Sequence, residues 1–264
     1  DTARVYSDWI PGEPGRSERV LGDWLTSRAN RNQVILATKG GHPKLESMYM
    51  PRMSKSEVEN DLNLSLKALR VDNIDLYYLH RDDKTKSVEE ILSMLEDFTQ
   101  AGKIRRYACS NWCADRIQEA TDCALAHGWR GFAANQIFWN LGCENITGKL
   151  DDTLTVFDEP MRLALKRTGM LASAYSSQAG GFFSKLDRGD DVSHSIYNTQ
   201  ENRCIYQKVK SLGNQTGLTI TEIIILYILS QPIPSYAVVG CRTVDQLRET
   251  MSAGEKSLSL ELVD

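Results

Sequence analysis

Residues 74–80 read Ile74-Asp75-Leu76-Tyr77-Tyr78-Leu79-His80, an apolar run that closes on a histidine. Its apolar residues fall on consecutive positions, the pattern of a strand covered on both faces. Upstream, Val34-Ile35-Leu36-Ala37-Thr38-Lys39 has the same build and closes on a lysine. Four more runs follow: Ile104–Asn111, Gly131–Trp139, Met170–Ser177 and Tyr236–Arg242. Each gap between them is long enough for a helical crossover, so the order implies a parallel sheet with helices between its strands.

Start signals place the helices. Ser54 with Glu57 forms a capping box ahead of Val58, Leu62, Leu66 and Leu69, which share one helical face. Ser87 with Glu90 repeats the device before Ile91, Leu95 and Phe98, Thr219 with Glu222 before the apolar run Ile223–Leu229, and Thr243 with Gln246 before Leu247 and Met251. Further helices are expected near 17–28, 113–128, 154–168 and 200–216. Residues 180–199 read as a long loop, and Trp9–Arg16 as a surface loop.

Two parallel architectures fit this pattern, an open doubly wound sheet and a closed (β/α)8 barrel. No GxGxxG follows an early strand, which argues against the dinucleotide-binding open sheet. Lys39, His80, Ser110, Asn111, Gln136, Tyr175 and Arg242 all stand at or near the ends of apolar runs. Barrel enzymes gather their chemistry at such strand ends. The sequence therefore predicts an α/β TIM-type (β/α)8 barrel, and with no linker rich in Pro or Gly, a single domain over 1–264.

Composition narrows the partners. Lys and Arg number 31 against 35 Asp and Glu, a net charge of −4, which disfavours a nucleic-acid binder. The run Ile223–Leu229 is far short of the ~20 residues of a membrane span. Six cysteines lie scattered without metal-like spacing. With no secretory leader in view, the expectation is a cytoplasmic protein with reduced thiols. The expected partner is a small molecule, with no nucleic acid and no membrane; the oligomeric state stays open.

The motifs Asp1-Thr2-Ala3-x-x-Tyr6, Ala37-Thr38-Lys39, Asp75-Leu76-Tyr77-Tyr78-Leu79-His80, Cys109-Ser110-Asn111, Asn135-Gln136, Ala174-Tyr175-Ser176 and Val239-Gly240-Cys241-Arg242 resemble, in order and spacing, the aldo-keto reductase superfamily. The resemblance spans nearly the whole chain. It implies a barrel that binds an extended nicotinamide cofactor and reduces an aldehyde or ketone to an alcohol. Tyr6 would be the general acid. A free phenol near pKa 10 is a poor acid at neutral pH, and a neighbouring ammonium favours its phenolate. Lys39 would supply that ammonium, Asp1 would pair with Lys39, and His80 would orient the substrate oxygen.

The same resemblance assigns Ser110, Asn111 and Gln136 to the nicotinamide carboxamide, which needs both donors and acceptors. Tyr175 would stack on the ring, and Ser176, Gln178 and Gly181 would wrap the pyrophosphate. Gly240, Arg242, Gln246, Glu249 and Thr250 would hold the adenosine end. A guanidinium at Arg242 suits a 2′-phosphate, which favours NADP (NADPH), with NAD as the alternative. By their position on loops or helix starts, Trp9, Tyr49 and Trp112 read either as substrate-pocket walls or as scattered surface or core aromatics.

Against the family's pattern, the first two strands are missing before Asp1 and the closing segment is short. The expectation is a gap beside Val34–Lys39 that leaves Asp1 and Tyr6 without a supporting strand. It keeps open a second reading, a cofactor-binding but inactive barrel acting as a regulatory or scaffold subunit.

Overall fold

The computed structural model describes residues 1–148 and 150–259. The chain groups into two compact units, Asp1–Asn135 and Gln136–Asp264.

The first unit runs α1 (Arg16–Arg28), β1 (Ala37–Gly40), α2 (Lys55–Leu69), β2 (Ile74–Leu79), α3 (Val88–Gln100), β3 (Ile104–Ser110) and α4 (Ala114–His127). Strands β1, β2 and β3 pair in parallel, with Gly40 opposite Leu79 and Leu79 opposite Cys109. Their carboxyl ends are therefore level, and the residues that close them share one rim. Strand β4 (Ala134–Phe138) contains the division after Asn135.

Toward their carboxyl ends both faces of these strands are buried. Thr38, Tyr77 and Tyr107 stand side by side on one face. There the Thr38 hydroxyl donates to Glu18 of α1 (2.6 Å) and the Tyr107 hydroxyl to Glu96 of α3 (2.6 Å). Lys39 and Tyr78 point the other way. Leu25, Val58, Leu62, Leu69, Ile91, Leu95 and Phe98 are buried from the helices, each contributing ~1.5–3 kcal/mol of transfer free energy. Helix α1 reaches α2 through Gly22, where a Cβ would lie 2.5 Å from the Ala68 carbonyl oxygen.

The strand expected over Val34–Lys39 starts only at Ala37. The Leu36 N–H is taken by the Asp75 carboxylate (2.8 Å) instead of a neighbouring strand, and Ile35 is 83% exposed. Where the gap was expected, a short segment bonds to the edge of this strand. Thr2 N–H donates to Ala37 O (3.0 Å) and Arg4 N–H to Lys39 O (2.9 Å). These two steps of equal stride run along β1 in parallel sense, so Asp1 and Tyr6 flank a segment bonded to its edge.

The second unit holds the rest of β4, then α5 (Glu159–Thr168), β5 (Leu171–Tyr175), α6 (Phe182–Arg188), α7 (Gln200–Thr216), α8 (Ile220–Leu229), β6 (Ser235–Ala237) and α9 (Val244–Ser252). Strands β5 and β6 pair in parallel, with Ala174 opposite Ala237. Its core gathers Val209 and Leu212 of α7 with Ile223, Ile225 and Leu226 of α8. No single helix among the described residues is long and apolar enough to cross a membrane.

Three expectations are corrected in this unit. The helix expected from 154 begins at Glu159, because Phe157 N–H bonds back to Phe138 O (3.0 Å) and Asp158 caps Met161 N–H. The loop expected over 180–199 contains α6, whose Phe182 and Phe183 are buried. The last strand stops at Ala237; Val238 N–H still donates to Ala174 O (2.8 Å), but the Ser177 hydroxyl donates to Val238 O (2.6 Å) and Gln246 Oε1 accepts Arg242 N–H (2.9 Å) in place of further ladder bonds.

Candidate active site

In the first unit, the level strand ends collect four of the candidate residues. Lys39 is the last side chain of β1 to point away from the helices. Its side chain is fully buried, which an ammonium tolerates only when paired. The partners are Asp1 Oδ2 at 2.7 Å and the Thr2 carbonyl oxygen at 2.9 Å. Its Nζ lies 5.1 Å from the centre of the Tyr6 ring and 5.8 Å from that of Tyr78.

Tyr6 sits on a chain of tight turns. Tyr6 N–H donates to Ala3 O (3.1 Å) and Asp8 N–H to Val5 O (3.0 Å). The Asp8 carboxylate takes Arg4 (3.3 Å) and Gly15 N–H (2.8 Å). Fixed turns of this kind reduce the freedom of the phenol. Trp9 meets the Tyr6 ring edge-on with centroids 6.2 Å apart, and it is 60% exposed.

His80 follows β2 directly, its N–H bonded to Gly40 O at 2.9 Å. It is buried, and its ring meets Tyr6 edge-on at 5.9 Å. Burial, together with the positive charge of Lys39, His42 and Arg81, holds its pKa well below the ordinary histidine value of 6.5. His80 is therefore a neutral imidazole at physiological pH. His42 also meets the His80 ring edge-on, centroids 4.6 Å apart.

Ser110 and Asn111 close β3, both buried, with Asn111 Nδ2 donating to Ser110 Oγ at 3.1 Å. Asn111 takes a left-handed φ of 61°, which asparagine accepts more readily than most residues. Trp112, readable as rim or core, is fully buried. It packs edge-on against Phe132 (4.8 Å) beneath the Arg116 guanidinium (5.1 Å). Tyr49 is exposed, as Trp9 is.

The remaining candidates belong to the second unit. Gln136 is buried and donates to Ser173 Oγ (3.2 Å); Tyr175 meets Phe138 edge-on at 5.7 Å. After Tyr175 the backbone turns left-handed at Ser176, Ala179, Gly180 and Gly181. Asn140 Nδ2 holds Ser176 O (3.1 Å), Gln178 Nε2 holds Thr250 Oγ1 (3.0 Å), and Lys185 Nζ holds Gly180 O (3.1 Å). Thr250 is buried, whereas Gly240, Arg242, Gln246 and Glu249 lie at the surface.

The sequence reading missed His42, Asn140 and Lys185. His42 stands after Gly40-Gly41, where no periodicity marks a face. Asn140 lies just past a strand, as Ser110 and Asn111 do, and that was its available signal. Lys185 hides in a helix read as loop.

The Aldo/keto reductase family model matches residues 1–264. The chain belongs to this family. Over its whole length it is 28% identical to norsolorinic acid reductase stcV of Emericella nidulans, covering 65% of that protein, and 28% identical to norsolorinic acid reductase B of Aspergillus parasiticus, covering 68%. It is also 26% identical to the uncharacterized oxidoreductase YrpG of Bacillus subtilis, covering 79% of it. This aldo/keto reductase chain thus spans about two-thirds of the length of the two fungal relatives. The thermostable aldo-keto reductase Tm1743, solved with the inhibitor epalrestat, superposes with a TM-score of 0.71 at 20% identity, over all of this chain and 78% of its own. That likeness bears on the fold alone, and it supports the α/β TIM-type barrel expected from the strand order.

Proposed function

We propose that this chain is an NADP(H)-dependent oxidoreductase that reduces an aldehyde or ketone to an alcohol, with Tyr6 as the general acid. The observation that carries the reading is the fully buried Lys39 ammonium, paired with Asp1 at 2.7 Å and set 5.1 Å from the Tyr6 ring centre. A lysine so deeply buried and paired beside a phenol has a chemical use in proton transfer that packing alone does not supply.

The residues fit a nicotinamide cofactor. Ser110 and Asn111, buried where β3 ends, and Gln136, buried within β4, would offer the mixed donors and acceptors that a carboxamide requires. The left-handed turns at 176–181, with the Lys185 ammonium against Gly180 O, make a tight, cation-bearing loop suited to a pyrophosphate. Tyr175 would stack on the ring. Gly240, Gln246, Glu249 and Thr250 would hold the adenosine, and Arg242 would read the 2′-phosphate that separates NADP from NAD.

When bound, reduced nicotinamide supplies hydride to a carbonyl carbon. The chain's own residues handle the oxygen. The Tyr6 hydroxyl delivers its proton to that oxygen as negative charge develops there. Lys39 holds positive charge beside the phenol and stabilises the phenolate left behind, and Asp1 keeps the ammonium in place. His80, being neutral, donates a hydrogen bond that fixes the oxygen without competing as an acid.

The relatives named as reductases of norsolorinic acid support a small-molecule carbonyl substrate. The test is an assay of the chain with NADPH against a panel of aldehydes and ketones. The expected result is NADPH consumption matched by alcohol formed. NADPH binding with no turnover of any member would replace this reading with that of an inactive cofactor-binding barrel.

A further inference from the structure

A neutral histidine that must present one N–H in a fixed direction normally has its other ring nitrogen hydrogen-bonded, which sets both the tautomer and the ring angle. His80 lacks that device: its Nδ1 is buried and has no hydrogen-bond partner. Two aromatic rings meet it, Tyr6 edge-on at 5.9 Å and His42 edge-on at 4.6 Å.

His42 is itself well anchored. Its Nδ1 lies 2.6 Å from the Pro43 carbonyl oxygen, which only accepts, so that nitrogen carries the proton. The His42 carbonyl takes the Arg52 guanidinium at 3.0 Å, and Arg52 is held by Asp61 of α2 at 3.2 Å. His42 also lines an open cleft with Arg4, Asp8, Arg52 and Asp61, and His80 does not. Its half-buried ring thus touches both the cleft and the His80 imidazole.

An unpartnered buried N–H is rarer than an unpartnered acceptor lone pair. With one proton on the ring and no partner at Nδ1, the lower-cost form of His80 carries the proton on Nε2. Water entering from the cleft would remove that preference, because it could accept from Nδ1–H as readily as donate to a bare Nδ1.

We propose that His42 is a positioning residue for His80: its ring closes the cleft against the buried Nδ1 and so holds the imidazole as the Nε2–H tautomer. The consequence for catalysis rests on the reductase reading above. A donor aimed at the carbonyl oxygen strengthens as charge develops, so its misalignment lowers kcat more than it raises KM.

The experiment compares His42→Ala, which opens the cleft, with His42→Phe, which keeps a ring edge. His42→Asn is the second opening variant should Ala not fold. Long-range ¹H–¹⁵N spectra of His80, recorded without substrate, should show the Nε2–H tautomer in the parent and in His42→Phe, and a mixture in the opening variant. Removing an oxyanion-type donor costs ~10²–10³ in kcat, and misaligning one should cost about tenfold, with KM within about threefold. NADPH affinity should be unchanged, and His42→Phe should stay within about threefold of the parent. A His80 tautomer unchanged in a folded opening variant overturns the inference, whatever the turnover. So does a folded His42→Phe as impaired as His42→Ala, since the imidazole itself would then be needed. A parent chain that reduces no carbonyl would remove the reductase reading but leave the spectra to decide the role of His42.

Discussion

Lys39 and His80 show how much one residue's surroundings add to its identity. Both were legible in the sequence because each closes an apolar run, where a polar side chain needs a reason. Their state was not. The Lys39 ammonium is stabilised by Asp1 and the Thr2 carbonyl, contacts from a segment more than thirty positions away in the chain. His80 is neutral because burial and nearby positive charge act in the same direction. This gives stability a pH dependence of known sign. The unfolded chain takes up a proton at His80 near the ordinary value of 6.5, whereas the folded chain does so only well below it. Stability from this site is therefore intact above pH 6.5 and falls as pH drops through 6.5 toward the folded value, by up to about 1.4 kcal/mol per pH unit. In urea unfolding between about pH 6.5 and 5, His80→Gln should lose stability less steeply than the parent. Parallel curves would show that His80 is not held neutral. Trp112 marks the opposite outcome. An aromatic after a strand end reads equally well as rim or core, and only Phe132 and Arg116, brought in by the fold, decide for the core.

Among the elements, helix starts were the most legible feature, because capping is a local interaction. Ser54 and Thr219 both form complete capping boxes with the glutamates three residues on. Ser87 accepts Glu90 N–H as expected. Thr243 does the same for Gln246, but the Gln246 side chain reaches one residue further back, to Arg242 N–H. Helix α6 and the late start of α5 were illegible for the converse reason: they meet distant segments, Ser184 the Thr221 hydroxyl (3.1 Å) and Phe157 N–H the Phe138 carbonyl. Glu222 joins the local and the distant. Its Oε2 caps Thr219 N–H, while its Oε1 takes the Ser252 hydroxyl (2.6 Å) and Lys256 Nζ (2.5 Å) beyond α9. Burial would raise its pKa, yet these donors more than offset burial and hold it below the ordinary value. Thr219→Ala, which removes only the cap, should cost about 1 kcal/mol. Glu222→Ala also strips Ser252 and Lys256 of a shared partner and should cost about 2–3 kcal/mol. Urea midpoints at constant m-value give both numbers. Equal losses would mean that the Ser252 and Lys256 contacts add nothing.

At the scale of the whole molecule, the alternation of strand and helix and the ordered strand-end motifs were enough for the fold class, because a parallel sheet writes its crossovers into the sequence. The division at Asn135 was not legible; it falls within a strand, with no change of composition to mark it. Nor was the bonding of Thr2 and Arg4 along β1, since three residues carry no periodicity. That pairing matters because it sets Asp1 beside Lys39 and starts the turns that carry Tyr6. The proposed chemistry depends on this arrangement, with one phenol as the proton source. The most direct test is Tyr6→Phe, which keeps the ring against Lys39, His80 and Trp9 and removes only the hydroxyl. The account predicts unchanged NADPH affinity and melting temperature, with carbonyl turnover reduced by about 10²–10⁴-fold. Turnover within about threefold of the parent would contradict it, because no contribution of general-acid size would then come from Tyr6.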